Sequence, residues 1–200
     1  MLVQNLNGLC CEQRLFMIKV KTSKEGRVCQ GDIFKDIELV EYIHEKNGIL
    51  EISKINYPFV IVLTQDCELQ QDYNFRKSLR TRYIQNKMLL SVLVAPLYNA
   101  DQVFLGQHLS DLSITVEAIN KNKTPGKNLI QNETPRYHYL DFPSNIPIVP
   151  SIIDFKHYFS VNVEYLRRLK YSNFICKVSE LYREDISMRF ANYLARIGLP

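Results

Sequence analysis

Residues 58–63, Pro58-Phe59-Val60-Ile61-Val62-Leu63, form an unbroken apolar run that passes directly into Thr64-Gln65-Asp66-Cys67-Glu68-Leu69. A short run of β-branched, aromatic and aliphatic residues fits a strand covered on both faces, because a strand with one wet face would alternate apolar and polar positions. The rest of the chain must therefore supply layers on both sides of this strand. At its end a hydroxyl, an amide, two carboxylates and a thiol follow one another, and rigid strand ends often present binding groups where they meet a loop. Residues 64–69 are thus the first candidate site.

The first half of the chain reads as β-rich. Residues 15–20, 32–42, 49–55, 59–63 and 88–97 carry aliphatic and aromatic residues, with Gly or Pro punctuation nearby. Asn47-Gly48 predicts a tight hairpin turn between residues 38–44 and 49–55. Residues 76–87 are too polar for a core strand and read as a solvated helix or an ordered loop, while 101–119 fit neither period. The run Asn120–Asn132 is polar and turn-rich, which predicts a flexible loop or a long hairpin tip. Residues 136–142 alternate as a strand should, Pro143, Pro147 and Pro150 make an extended connector, and 151–163 return to strand-like sequence.

A helix is expected at about 179–197. Leu181, Ile186, Phe190, Leu194 and Ile197 fall near one face, Ser179 is an N-cap, Glu184 and Asp185 suit the first turn, and Gly198 stops it. The expected architecture is one domain over residues 1–200, mainly β within the α+β class. A strongly bent sheet or β-barrel would occupy about 15–165, with an insertion at about 120–132 and the C-terminal helix packed on the core.

Composition narrows the function classes. With 46% hydrophobic and 23% charged residues in 200, the chain can bury a sizeable core, and no apolar stretch approaches the roughly 20 residues of a membrane span. Asn5, Asn7, Glu12, Gln13 and Arg14 interrupt the beginning, so no secretory leader and a cytoplasmic location are expected. Five cysteines, at 10, 11, 29, 67 and 176, include no CxxC pair, which argues for reduced thiols and against a zinc knuckle. The net charge of +4 permits a polyanionic partner without requiring one.

If residues 64–69 were extended, Thr64, Asp66 and Glu68 would face one way. Asp66 and Glu68 would then form a carboxylate pair for acid–base chemistry, or a seat for a divalent cation such as Mg²⁺ or Ca²⁺. The structural alternative is that Asp66 caps a turn and Cys67 packs as a small hydrophobe. Cys67 as a nucleophile would need His138 or His157 as its base, and Asp154 with His157 is a further polar pair. Arg76, Lys77, Arg80, Arg82 and Lys87 place five positive charges in twelve residues without an acid. A nucleic acid drawn there would lie near residues 64–69, with Phe75 and Tyr83 able to stack bases and Lys121, Lys123 and Lys127 extending the patch. The alternative use of this segment is a solvated face with snorkelling arginines.

Gly31-Asp32-Ile33, the strand Val60–Leu63 ending at Thr64, and Val92-Leu93-Val94-Ala95-Pro96-Leu97 together resemble the strand succession of the PemK/MazF toxin family. The resemblance implies a small SH3-like β-barrel with a C-terminal helix and cleavage of single-stranded RNA. Two positions depart from it: Tyr57 stands where the family has an arginine before the proline of its central strand, and Tyr98 where it has a hydroxyl residue after the later Pro-Leu step. The segment 64–69, with Tyr182-Arg183-Glu184 and Arg196-Ile197-Gly198-Leu199-Pro200, is similar to a group of bacterial proteins of unknown function with an SQDCDL-type motif. The leading expectation is a protein that binds nucleic acid, RNA by preference, with toxin-like ribonuclease chemistry at Thr64, Asp66 and Glu68 left open. The contrasting one is a non-enzymatic interaction module of a toxin–antitoxin or phage-defence system with a protein partner, and a Cys-dependent enzyme is the third.

Overall fold

The computed structural model describes residues 17–78 and 86–196. The apolar run is the inner end of β3 (Ile49–Val62), which pairs along its length with β2 (Asp32–Lys46). Asn47 and Gly48 join the two with φ of 54° and 74°. Two successive positive φ values define a turn whose twist matches paired strands, and Asn-Gly adopts it at least cost. On its other side β3 pairs with β4 (Ser91–Asn99) through Val60↔Pro96, Ile61↔Ala95 and Val62↔Val94.

The remaining strands extend this centre in both directions. β2 also pairs with β8 (Phe174–Val178), which pairs with β1 (Val20–Lys21). The far edge of β4 is shared between β7 (Phe159–Asn162) and β6 (Ser151–Asp154), and β6 carries β5 (Tyr137–Leu140). Every one of these pairings is antiparallel. Met17, just before β1, bridges to Asp141, just after β5, and the Ile18 amide donates to the Asp141 carbonyl at 2.8 Å. The two ends of the strand order thus meet, and the α+β fold is a curled half-barrel with a C-terminal helix.

At the inner end of β3, Val60–Val62, both faces are buried, as the apolar run requires. Ile61 enters a core with Ile33, Leu97, Ile153 and Phe155, covered by Ile186 and Phe190 of a C-terminal helix. Val60 and Val62 enter a second core with Phe34, Ile37 and Val94, covered by Val163 and Leu166 of the helix Val163–Leu169. Each fully buried aliphatic or aromatic side chain contributes roughly 1.5–3 kcal/mol relative to exposure. No helix among the described residues is long and apolar enough to cross a membrane.

Several expectations need correction. Residues 66–77 form a helix, α1 (Asp66–Lys77), instead of an extended segment; Asp66 and Glu68 sit in its first turn, where carboxylates complement the helix dipole, and Leu69 is buried. Residues 100–104 form the short α2 (Ala100–Phe104), after which the chain folds back so closely that a Cβ on Gly106 would lie 2.2 Å from the Val116 carbonyl oxygen. The stretch 120–132 is not simply a loop. It contains α3 (Gly126–Ile130), anchored by Leu129 against Val103, Phe104 and Ile152, and Asn132 clips it to the Tyr139 backbone with two hydrogen bonds.

Numbering on, Val163–Leu169 is α4 and the C-terminal helix is α5 (Glu180–Leu194). Of the expected α5 stripe, Ile186 and Phe190 are buried, whereas Leu181 and Leu194 are exposed. Ser179 holds the N-cap position without a side-chain capping bond. Ile197, Gly198 and residues 15–16 lie outside the described residues. Beyond Ile37 and Tyr57, the outer parts of β2 and β3 pair, among the described residues, only with each other, as an arm that exposes Val40, Tyr42, Ile43, Ile49, Leu50 and Ile52.

Candidate functional site

The corner at residues 64–69 is built into the fold. Thr64 Oγ1 accepts the Leu93 amide at 2.7 Å, tying the end of β3 to β4. Asp66 accepts from both terminal nitrogens of Arg27, at 3.0 and 2.8 Å, and from the Gln30 amide at 3.1 Å, with Arg183 3.7 Å away. Burial pushes the Asp66 carboxyl up, but Arg27, the Gln30 amide and the charge of Arg183 outweigh it and hold the group below the usual carboxylate range. Arg27, Gln30 and Arg183 were not legible as its partners, since they lie 36 or more positions away along the chain.

The carboxylate pair is not assembled. On a helix, residues two apart point about 200° from each other, and Glu68 is exposed on α1 while Asp66 is turned to Arg27. A cation at Asp66 would have to displace the guanidinium. Among the described residues, no group of three or more His, Cys, Asp or Glu side chains is placed to hold a metal ion.

The thiol and the histidines are also apart. Cys67 is exposed, its Sγ 3.6 Å from Gln65 Oε1. His157 instead meets Tyr98, and His138 packs beside Phe155, buried, with no hydrogen-bond partner for Nδ1 among the described residues. Burial, reinforced by the charge of Arg189, pushes the His138 imidazole down to about 3. Its folded value lies below the unfolded 6.5, so its contribution to stability is present above pH 6.5 and lost as pH falls through about 3. His138→Phe should make acid denaturation shallower, removing a loss of roughly 5 kcal/mol over that window. Urea titrations across that pH range measure it; an unchanged slope would count against a neutral buried ring.

The basic segment is divided. Arg76 is fully engaged: Nε donates to both Asp72 oxygens at 2.8 and 2.9 Å, Nη1 to Glu164 at 2.7 Å and Nη2 to the Leu89 carbonyl at 2.7 Å. It is a structural tie between α1, α4 and the approach to β4, not a free surface charge. Lys77 is exposed, 4.4 Å over the Tyr73 ring, and Lys87 is exposed. Arg80 and Arg82 lie outside the described residues.

A cleft of about 280 Å³ opens between the base of the arm and β4, lined by Tyr57, Phe59, Tyr98, Asn99, Gln102 and His108 among others. The Tyr57 ring stacks on Phe159 at 5.0 Å and 24°. The Tyr98 ring meets His108 and His157 edge-on, at 5.0 and 5.7 Å. Its hydroxyl is 3.1 Å from His157 Nδ1, which is 3.5 Å from Asp154 Oδ2. Asp154, almost fully buried, is held in turn by Arg136 and accepts the Lys156 amide.

Burial pushes the Tyr98 phenol well up and the His108 and His157 imidazoles down, so both rings are neutral near pH 7. A bare Nδ1 lone pair on His157 would face the Asp154 carboxylate, which favours the tautomer protonated at Nδ1. That N–H can donate to the Tyr98 oxygen, freeing the phenol proton for a ligand. Comparisons with protein-family models, with curated proteins and with solved structures returned no match.

Proposed function

We propose that this protein binds single-stranded RNA, seating an unpaired base in the cleft between Tyr57 and Tyr98. One observation carries the reading: the two positions at which the chain departs from the PemK/MazF pattern, Tyr57 and Tyr98, both line this cleft. Tyr57 offers a ring braced from behind by Phe159, and any base can stack on such a face. Tyr98 offers a phenol donor, and Asn56, Asn99 and Gln102 offer amides that can pair with base edges. On this reading the half-barrel is a PemK/MazF-like barrel elaborated by the insertion at about 120–132. Binding is favoured over cleavage at residues 64–69, because Thr64 and Asp66 are engaged with Leu93, Arg27 and Gln30. The exposed apolar arm favours a second role, as an interaction module for a protein partner.

Anisotropy titrations of a labelled single-stranded RNA test the cleft. Tyr57→Ala should weaken binding by about 1–3 kcal/mol, the cost of one lost base stack. Tyr98→Phe keeps the ring and removes the donor, so its loss should be smaller, about 1 kcal/mol. Wild-type affinity in both variants would take the cleft out of the function.

A further inference from the structure

A second pocket, of about 200 Å³, lies where α4 meets the segment before β2, walled by Arg27, Glu164, Arg167, Arg168, Lys170 and Tyr171 with Gly26 and Val28. Four of the charged side chains are cations and one is an acid. The cations are held from behind: Arg27 by Asp66, and Lys170 by Asp32 at 2.5 Å with its ammonium 3.9 Å from the Phe174 ring centre. Asp66 and Asp32 offset those two charges, so the surplus at the mouth falls to Arg167 and Arg168. Glu164 divides its charge between Arg76 at 2.7 Å and Arg167 at 2.9 Å. Arg168 is exposed and has no carboxylate partner among the described residues. Lys24 adds another cation, donating to the Tyr171 carbonyl at 2.6 Å. Arg167 and Arg168, with Lys24 close by, therefore concentrate positive potential at the mouth of a concave site.

We infer that this pocket binds a phosphate group, specifically a terminal phosphate monoester of the nucleic acid; the identity of that ligand rests on the RNA reading above. A monoester presents three unsubstituted oxygens and close to two negative charges, which suits the Arg167 and Arg168 guanidinium groups at one mouth. An internal phosphodiester carries one charge and leaves fewer free oxygens for those guanidinium groups. Tyr171, 78% exposed at the rim, supplies a ring for the adjoining nucleoside. The basic run that begins at Arg76 starts beside this wall, because Arg76 and Arg167 share Glu164.

The test compares one RNA sequence with a 5′-phosphate, with a 3′-phosphate and with hydroxyl ends, beside inorganic pyrophosphate. One phosphorylated form should bind roughly tenfold tighter than the hydroxyl form, and Arg168→Gln should narrow that gap to about twofold. Pyrophosphate should raise the melting temperature of the wild type and raise that of Arg168→Gln less. Equal affinity for all three RNAs together with no pyrophosphate effect would overturn the pocket. If no RNA binds while pyrophosphate still stabilises the wild type through Arg168, the phosphate site stands and the RNA reading falls. Arg168 is exposed, so its substitution should leave the fold intact.

Discussion

Lys170→Met should destabilise the protein by about 3–5 kcal/mol at pH 7–8, the usual cost of leaving one partner of a buried ion pair alone. Asp32 is fully buried at the start of β2, and Lys170 and the Cys29 amide are the groups that satisfy its Oδ2, while Oδ1 has no partner among the described residues. Burial pushes the Asp32 carboxyl up to about 6 despite Lys170. A folded value above the unfolded 3.8 means that this group's contribution is complete below pH 3.8 and lost as pH rises through about 6. Without Lys170 that loss must deepen and extend to higher pH. The deficit of the variant should therefore be large at pH 8 and narrow toward pH 4, where Asp32 is protonated in both proteins. Urea midpoints at several pH values read this directly, and a deficit independent of pH would sink the explanation. Adding Asp32→Asn should recover part of the loss, since it removes the orphaned charge.

Arg76→Met should cost a similar amount, about 3–5 kcal/mol, because Asp72 is 2% exposed and would lose its guanidinium. The same substitution frees the Leu89 carbonyl and loosens Glu164, so the approach to β4 and the start of α4 should weaken together. Arg76→Lys keeps the charge but cannot reach three acceptors from one planar group, and should fall between the two. Salt dependence separates this from a phosphate contact. A structural tie lowers the urea midpoint and leaves the salt slope of RNA binding unchanged; a flatter slope with a wild-type midpoint would return Arg76 to the binding surface.

Much of the sheet could be read before the fold was known. The Asn47-Gly48 turn, the buried inner end of β3 and the strands near Tyr137 and Ser151 follow from local rules, since turn chemistry and hydrophobic period act over a few residues. The two errors of kind have one cause. At residues 66–77 a polar helix of weak amphipathicity is fixed by Leu69 and by Arg27, Asp72 and Leu89, none of which its own periodicity announces. At residues 126–130 two apolar residues within a polar run suffice, because Val103 and Ile152 are waiting for Leu129.

The candidate site divides in the same way. By itself the sequence determined that a strand buried on both faces ends in a polar corner, and that a basic run follows. Only the tertiary structure decided that Asp66 belongs to Arg27 and Arg76 to Glu164 and the Leu89 carbonyl. It alone placed Tyr57 and Tyr98 at one cleft, and Arg167, Arg168 and Lys170 at another. Residue type sets what a side chain can bond to, whereas its choice among partners tens of positions away is made by the packing of the sheet and helices that carry them.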